Sequence, residues 1–167
     1  TLARLLDRAA LRHPEAPAVV DGACRLTYAE LASRSAALGR GLTDAGVAKG
    51  DRVLIALKNR VEHVLAYWAL QGIGGVPTPV NFRLTARDLR YVLEDCGARV
   101  ALFEPATAAA MLEAAEGWQG RLVSVGDEAP SGAIRFVDVL GSGGAPLDRG
   151  VGENDLSLIL YTSGTTG

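Results

Sequence analysis

The six residues at 162–167 combine side-chain hydroxyls with glycine in a pattern that suits phosphate binding. Glycine lets the backbone approach a ligand closely, successive N–H groups can form an anion-binding concavity, and hydroxyls add donors. The apolar run at 155–161 precedes them directly and is predicted to be a strand. This context favours a polyphosphate-binding loop over a flexible linker, and the string lacks the spacing and the lysine of a Walker loop. The candidate ligands of the phosphates are Thr162, Ser163, Gly164, Thr165, Thr166 and Gly167.

Upstream of this loop, short apolar runs alternate with stretches of helical periodicity. The alternation predicts βαβ units, and hence a doubly wound α/β fold whose mostly parallel sheet carries helices on both faces. Pro77 and Pro79 remove two N–H donors from one side of their strand, so that strand is expected at a sheet edge or near a strand end. Residues 133–140 have weaker β character. The predicted strands are 53–57, 75–80, 99–103 and 122–125, and the predicted helices are 61–71, 86–96 and 107–115.

The first fifty residues predict a cover for this sheet. A helix over residues 2–9 ends before Pro14, and the segment 18–27 is predicted to form a small hairpin. Thr27 and Glu30 have the spacing of a capping box, which predicts the start of a long amphipathic helix. Gly46 stands where a left-handed residue would end that helix.

The composition indicates a globular domain, with 49% hydrophobic residues and a net charge of −2. Such a balanced charge argues against a nucleic-acid partner recognised through phosphate neutralisation. Cys24 and Cys96 are isolated in sequence, as expected for buried free thiols rather than for disulfides or metal ligands. The first residues lack a signal-peptide pattern, and no apolar run approaches the roughly 20 residues of a membrane span. These features predict a cytoplasmic protein.

The segment from Tyr161 to Gly167 resembles the signature loop of the adenylate-forming superfamily, which includes acyl-CoA synthetases, luciferases and peptide-synthetase adenylation domains. The form Asn-x-Arg-Leu at 81–84 resembles the acyl-CoA and aryl-CoA ligase branch of that superfamily. The resemblance extends over nearly the whole chain. Its further landmarks are Leu26-Thr27-Tyr28-Ala29-Glu30-Leu31, Gly50-Asp51-Arg52-Val53, Pro79-Val80-Asn81-Phe82-Arg83-Leu84-Thr85 and Asp95-Cys96-Gly97-Ala98-Arg99-Val100.

The resemblance implies an ATP-dependent acid–thiol ligase. In such enzymes a carboxylate attacks the α-phosphate of ATP to give an acyl-adenylate and pyrophosphate, and the thiol of CoA then displaces AMP. Residues 162–167 would hold the β- and γ-phosphates with Mg²⁺ offsetting their charge, and Arg83 would contact a phosphate of CoA. The family's loop continues into a Lys after Gly167. No catalytic residue and no metal ligand is assigned within residues 1–167.

Several implications of the resemblance concern the part of the family fold that this sequence covers. Residues 1–167 would form the amino-terminal α/β subdomain, with the acyl pocket, the adenine site and a small carboxy-terminal domain beyond residue 167. The segment 1–167 alone is therefore expected to be inactive. A carboxylic acid, ATP and CoA are the expected small-molecule partners, fatty-acid metabolism is one expected setting, and a homodimer stays open.

Alternatives stay open for the function of the chain and for the roles of single residues. A peptide-synthetase-type adenylation domain would load a carrier protein instead of CoA, and a non-catalytic relative would keep only the fold. Arg83 has a structural interpretation as a loop charge before the helix opened by Thr85. The pairs Glu94-Asp95 and Glu153 with Asp155 are interpreted as solvated charges near element ends.

Overall fold

The computed structural model describes residues 1–140 and 150–162, and it leaves the side chain of Ala3 undescribed. Within these ranges the chain forms a two-stranded hairpin and a five-stranded sheet with helices around it. The elements are α1 (Ala3–Arg12), β1 (Pro17–Asp21), β2 (Cys24–Thr27), α2 (Tyr28–Asp44), β3 (Arg52–Ala56), α3 (Val61–Ile73), β4 (Val76–Pro79), α4 (Ala86–Asp95), β5 (Val100–Phe103), α5 (Ala108–Ala114), β6 (Arg121–Ser124), β7 (Ala133–Arg135) and α6 (Phe136–Val139).

All neighbouring strands of the larger sheet are parallel, in the order β4-β3-β5-β6-β7. Strand β3 shows why helices must cover both faces. Val53 and Ile55 lie in one hydrophobic cluster, whereas Leu54 and Ala56 lie in the other, and all four are fully buried. The predicted doubly wound α/β fold is therefore confirmed.

The two hydrophobic clusters belong to different sets of helices. The hairpin and α1, α2, α3 and α6 contribute to the first cluster, in which Leu38 and Leu42 of α2 have no exposed surface. Helices α4 and α5 supply the second. A fully buried leucine contributes roughly 1.5–3 kcal/mol. The long helix α2 is thus a principal source of stability for its face.

The capping residues identified in the sequence mark helix ends in the structure. Thr27 and Glu30 form both bonds of the predicted capping box, and Gly46 after α2 has a φ of 95°. Thr85 and Asp88 form a second capping box at the start of α4. Strand β4 lies at the edge of the sheet, as Pro77 and Pro79 predicted. Among the described residues, no helix is long and apolar enough to cross a membrane.

The strand predicted at 155–161 was wrong, and the β character predicted for 133–140 is confirmed only for its first three residues. Residues 155–161 run beside β4 but form no strand in the structure, and the backbone hydrogen bond that joins them to β4 runs from Ile159 N to Pro77 O, at 3.2 Å. Because Pro77 and Pro79 have no N–H, the outer edge of β4 offers few donors to a neighbouring strand. Residues 133–140 are a short strand followed by one helical turn, which points Phe136 and Val139 together into the core.

Candidate functional site

The order of the strands creates a switch point between β3 and β5. The chain passes from β3 through α3 to β4 on one side, and then returns through α4 to β5 on the other side of β3. Helices α3 and α4 therefore leave the sheet on opposite faces, and the loops after β3 and β5 diverge. In open α/β sheets, ligands bind in the crevice that forms outside the carboxyl ends of strands at such a point.

Glu104 follows β5 directly and ties this edge of the sheet together. Its side chain is 8% exposed; Oε1 accepts a hydrogen bond from the Lys58 N–H at 2.6 Å, and Oε2 lies 2.9 Å from Arg60 Nη1. The buried hydroxyl of Thr107 accepts from the Glu104 N–H and donates to the carbonyl of Ala56, at 2.9 Å. The carboxyl ends of β3 and β5 are thus held in one fixed relation.

Arg60 completes this network. Its guanidinium also donates two hydrogen bonds to Glu62, at 2.6 and 3.1 Å. These bonds to Glu62, with a further contribution from Glu104, raise the pKa of Arg60 above its usual range. The neighbouring N–H of Val61 donates to Asp21 Oδ2 at 3.0 Å, which joins the hairpin to the start of α3. Arg60 therefore pairs with both carboxylates, which share its single positive charge.

The loop after β4 presents Arg83 to solvent. The Arg83 N–H donates to Asn81 Oδ1 at 3.0 Å, and the Thr85 capping box starts α4 two residues later. The guanidinium carbon of Arg83 lies 5.3 Å from the centre of the Phe82 ring. Across residues 1–140 and 150–162, no carboxylate forms an ion pair with Arg83. This backbone is ordered locally, while the charge stays available.

Lys58 approaches the same aromatic ring from the loop after β3. Its Nζ lies 5.6 Å from the centre of the Phe82 ring, and the side chain is exposed. Cations near aromatic faces at such distances are attracted by the ring quadrupole. Lys58 likewise forms no ion pair with a carboxylate in the described part of the chain. Two loops at adjacent strand ends therefore bring two cations to Phe82.

The approach to the candidate phosphate loop is anchored at Tyr161. Its hydroxyl donates a hydrogen bond of 2.5 Å to Asp95 Oδ2 at the end of α4, and its ring makes an edge-to-face contact with Tyr91. Burial, and then the bond to Asp95, raise the pKa of Tyr161 above its usual range. Asp95 is exposed at the end of α4, as interpreted from the sequence, and in addition it accepts this bond. Asp155 is likewise paired, at 2.6 Å from Lys49 Nζ.

The structure describes some of the predicted site residues and not others. Thr162 is exposed immediately after Tyr161, and the other predicted phosphate ligands, Ser163, Gly164, Thr165, Thr166 and Gly167, lie outside the described residues. Thr162 and Arg83 share no hydrogen bond or other polar contact in the structure. Sequence reasoning missed Lys58 and Glu104. The rule that sites form beyond the carboxyl ends of strands could have drawn attention to both.

No set of three or more His, Cys, Asp or Glu side chains arranged to hold a metal ion occurs within the described ranges. Cys24 and Cys96 are both free thiols, with Cys24 half-buried and Cys96 buried. Burial raises the pKa of the Cys96 thiol above its usual value. Cys96 is therefore the buried free thiol that the sequence predicted.

Comparison with known proteins finds relatives that match nearly the whole chain. The chain is 39% identical to a feruloyl-CoA synthase of Amycolatopsis over 160 residues, which cover 96% of the chain and 30% of that protein. It is 36% identical to a 2-succinylbenzoate–CoA ligase of Geobacillus kaustophilus, over 100% of the chain and 31% of the relative. The chain thus spans about a third of the length of these relatives.

A solved structure of the anthranilate CoA ligase AuaEII in complex with anthranoyl-AMP superimposes with a TM-score of 0.92 at 20% identity. It covers 99% of this chain and 33% of that chain, and at this identity it shows the shared fold. The model of the family described as AMP-binding enzyme matches residues 6–167. The protein therefore belongs to the AMP-binding, adenylate-forming enzyme family.

Proposed function

We propose that this chain is the amino-terminal α/β subdomain of an ATP-dependent ligase that activates a carboxylic acid as its adenylate and transfers the acyl group to CoA. The observation that carries the proposal is the similarity over nearly the whole chain to proteins named as CoA ligases. The exposed cation at Arg83, beside the carboxyl end of β4, supports CoA as the acceptor because a guanidinium suits phosphate.

In this proposal, residues 162–167 bind the β- and γ-phosphates of ATP, and Arg83 binds a phosphate of CoA. Tyr161 directs the chain into the phosphate loop, and its bond to Asp95 fixes that direction against α4. Mg²⁺ would offset phosphate charge, and no residue of the chain is assigned to hold it. The rate enhancement then comes mainly from positioning and from electrostatic stabilisation of the reacting phosphates.

The phosphate loop is tested with Thr162→Val and Thr165→Val in the full-length protein. Losing a hydrogen bond to a charged phosphate costs about 1.5–3 kcal/mol, so acid-dependent ATP–pyrophosphate exchange should slow on the order of ten- to a hundredfold. Thr43→Val is the matched control, because the Thr43 hydroxyl bonds its own helix at Gly39 O, at 3.0 Å. It should leave the exchange rate unchanged.

Exchange rates within a factor of two of the parent for both loop variants, at saturating and subsaturating ATP, would show that the loop does not bind phosphate. Absence of exchange with every acid tried would favour the non-catalytic relative. Thioester formation on a carrier protein but not on CoA would favour the peptide-synthetase type. Residues 1–167 alone are expected to fold at least partly and to catalyse no exchange, since the rest of the site would be missing.

A cytoplasmic location and a homodimeric state stay predictions within this proposal.

A further inference from the structure

Two positively charged side chains lie beside the Phe82 ring. Lys58 Nζ and the guanidinium carbon of Arg83 lie 5.6 and 5.3 Å from its centre, although they come from loops after different strands. Attraction to the ring is worth only about 0.5–1 kcal/mol at an exposed site. Two like charges held beside one ring repel each other, and a bound anion would relieve that repulsion.

The position of Lys58 is set by its backbone. The Lys58 N–H donates to the buried carboxylate of Glu104, and the same carboxylate forms an ion pair with Arg60. Glu62 is also bonded to Arg60. Glu104 therefore fixes the loop through the Lys58 backbone, without forming an ion pair with the Lys58 ammonium group.

Arg83 is held in a comparable way. Asn81 fixes its N–H, and the Thr85 capping box fixes the start of the next helix. The two cations thus project from ordered backbone at the carboxyl ends of the neighbouring strands β3 and β4. Because the backbone of both residues is already fixed, only their side chains need to adjust to receive an anion with more than one phosphate.

We propose that Lys58 is a second phosphate-binding residue, which acts with Arg83 on the nucleotide portion of CoA and contributes to selectivity for CoA over shorter thiols. This inference rests on the proposed function, since it takes CoA as the acceptor. The planar guanidinium of Arg83 matches one phosphate through two donors, whereas the Lys58 ammonium acts as a compact point charge. The contribution of Lys58 to affinity therefore depends more on the total charge of the phosphates than on their geometry.

The test uses Lys58→Met in the full-length enzyme, because methionine keeps an unbranched chain beside Phe82 and removes the charge. The matched control is Lys49→Met, which removes the same charge at the amino ends of the strands, where Lys49 pairs with Asp155. Thioester formation is measured with CoA, dephospho-CoA and pantetheine, and acid-dependent pyrophosphate exchange is measured alongside.

Lys58→Met should lower kcat/KM for CoA about three- to tenfold, should leave pantetheine and pyrophosphate exchange unchanged, and should lose its effect as salt is added. A deficit that is smaller with dephospho-CoA assigns Lys58 to the 3′-phosphate, and an equal deficit assigns it to the diphosphate. Lys49→Met should match the parent with all three thiols. In combination with Arg83→Ala, the two losses should not multiply fully, since both residues hold one ligand.

Three results separate this inference from the proposed function. If Arg83→Ala lowers CoA use but Lys58→Met behaves like Lys49→Met, the role of Lys58 is overturned and the ligase proposal stands. Equal losses with CoA and pantetheine for Lys58→Met, confirmed with Lys58→Gln, would also overturn it, because a phosphate contact cannot affect pantetheine. A parent enzyme that shows no acid-dependent exchange at all would overturn the proposed function itself.

Discussion

The amino ends and the carboxyl ends of the parallel strands form two opposite edges of the sheet, and positively charged side chains have different partners at each. At the amino edge, Arg52 donates to the carbonyls of Cys96, Gly97 and Gly50, at 2.5, 2.9 and 3.0 Å. At the carboxyl edge, Lys58 and Arg83 rest beside Phe82 and pair with no carboxylate in the described part of the chain. Arg52 at the first edge thus serves the backbone, whereas Lys58 and Arg83 at the second carry charges that no carboxylate of the described residues pairs.

A cavity of about 580 Å³ between α4 and α5 shows why this difference matters. Arg52 and Arg90 line it together with Trp118, which could suggest an anion site. Arg90 donates to the carbonyls of Glu113 and Glu116 at the end of α5, however, at 2.6 and 2.9 Å. Cations near a helix carboxyl end satisfy its free carbonyls and its dipole. The donors of Arg90 are therefore already engaged by backbone carbonyls, and the size of the cavity alone does not indicate an anion site.

The largest expected effect on stability is that of Arg52→Ala. It removes charged donors from two partly buried carbonyls just after α4 and from the carbonyl of Gly50 before β3, so the free energy of unfolding should fall by about 2–3 kcal/mol. Urea denaturation measures this loss. Arg99→Ala is the control: Arg99 is 71% exposed and lies 3.9 Å from Asp51, so its loss should stay within about 0.5 kcal/mol. Equal losses for the two variants would remove the structural role given to Arg52.

A smaller effect is expected from the two capping boxes, which form a matched pair. Thr27→Ala and Thr85→Ala should each cost about 1 kcal/mol of unfolding free energy, since each removes an N-cap oxygen. Thr85 follows the Arg83 loop, so Thr85→Ala should also raise KM for CoA a few-fold, whereas Thr27→Ala should not. Steady-state thioester assays on both variants decide this. A similar change in KM for both would mean that Thr85 stabilises α4 without orienting Arg83.

Much of the fold could be predicted because its signals are local. The capping box at Thr27, the proline pair in β4 and the unbroken apolar run of β3 each act through neighbouring residues. The segment 155–161 was misjudged for a long-range reason. Whether an apolar run becomes a strand depends on the donors of the strand beside it, and β4 turns its prolines toward that side.

The site was predictable only in part. Arg83 was predicted through a family resemblance, whereas the cation beside it was not, because the bond between Lys58 and Glu104 spans 46 positions of sequence. The bond between Asp95 and Tyr161 spans 66 positions. No spacing pattern reveals such pairs, since they depend on which strands become neighbours. The order β4-β3-β5 brings Lys58, Arg83 and Glu104 to one edge.

The contrast between the two edges is tested most directly by comparing how well the full-length Arg83→Ala variant uses CoA and pantetheine as acceptor thiols. An exposed or partly exposed contact between arginine and phosphate is worth about 1–3 kcal/mol, so kcat/KM for CoA should fall roughly five- to a hundredfold, with a smaller deficit at high salt. The loss should be smaller for pantetheine, which lacks the nucleotide, and acid-dependent ATP–pyrophosphate exchange should be normal. An equal loss with CoA and pantetheine, or a loss of exchange itself, would contradict the account and make Arg83 a structural loop charge.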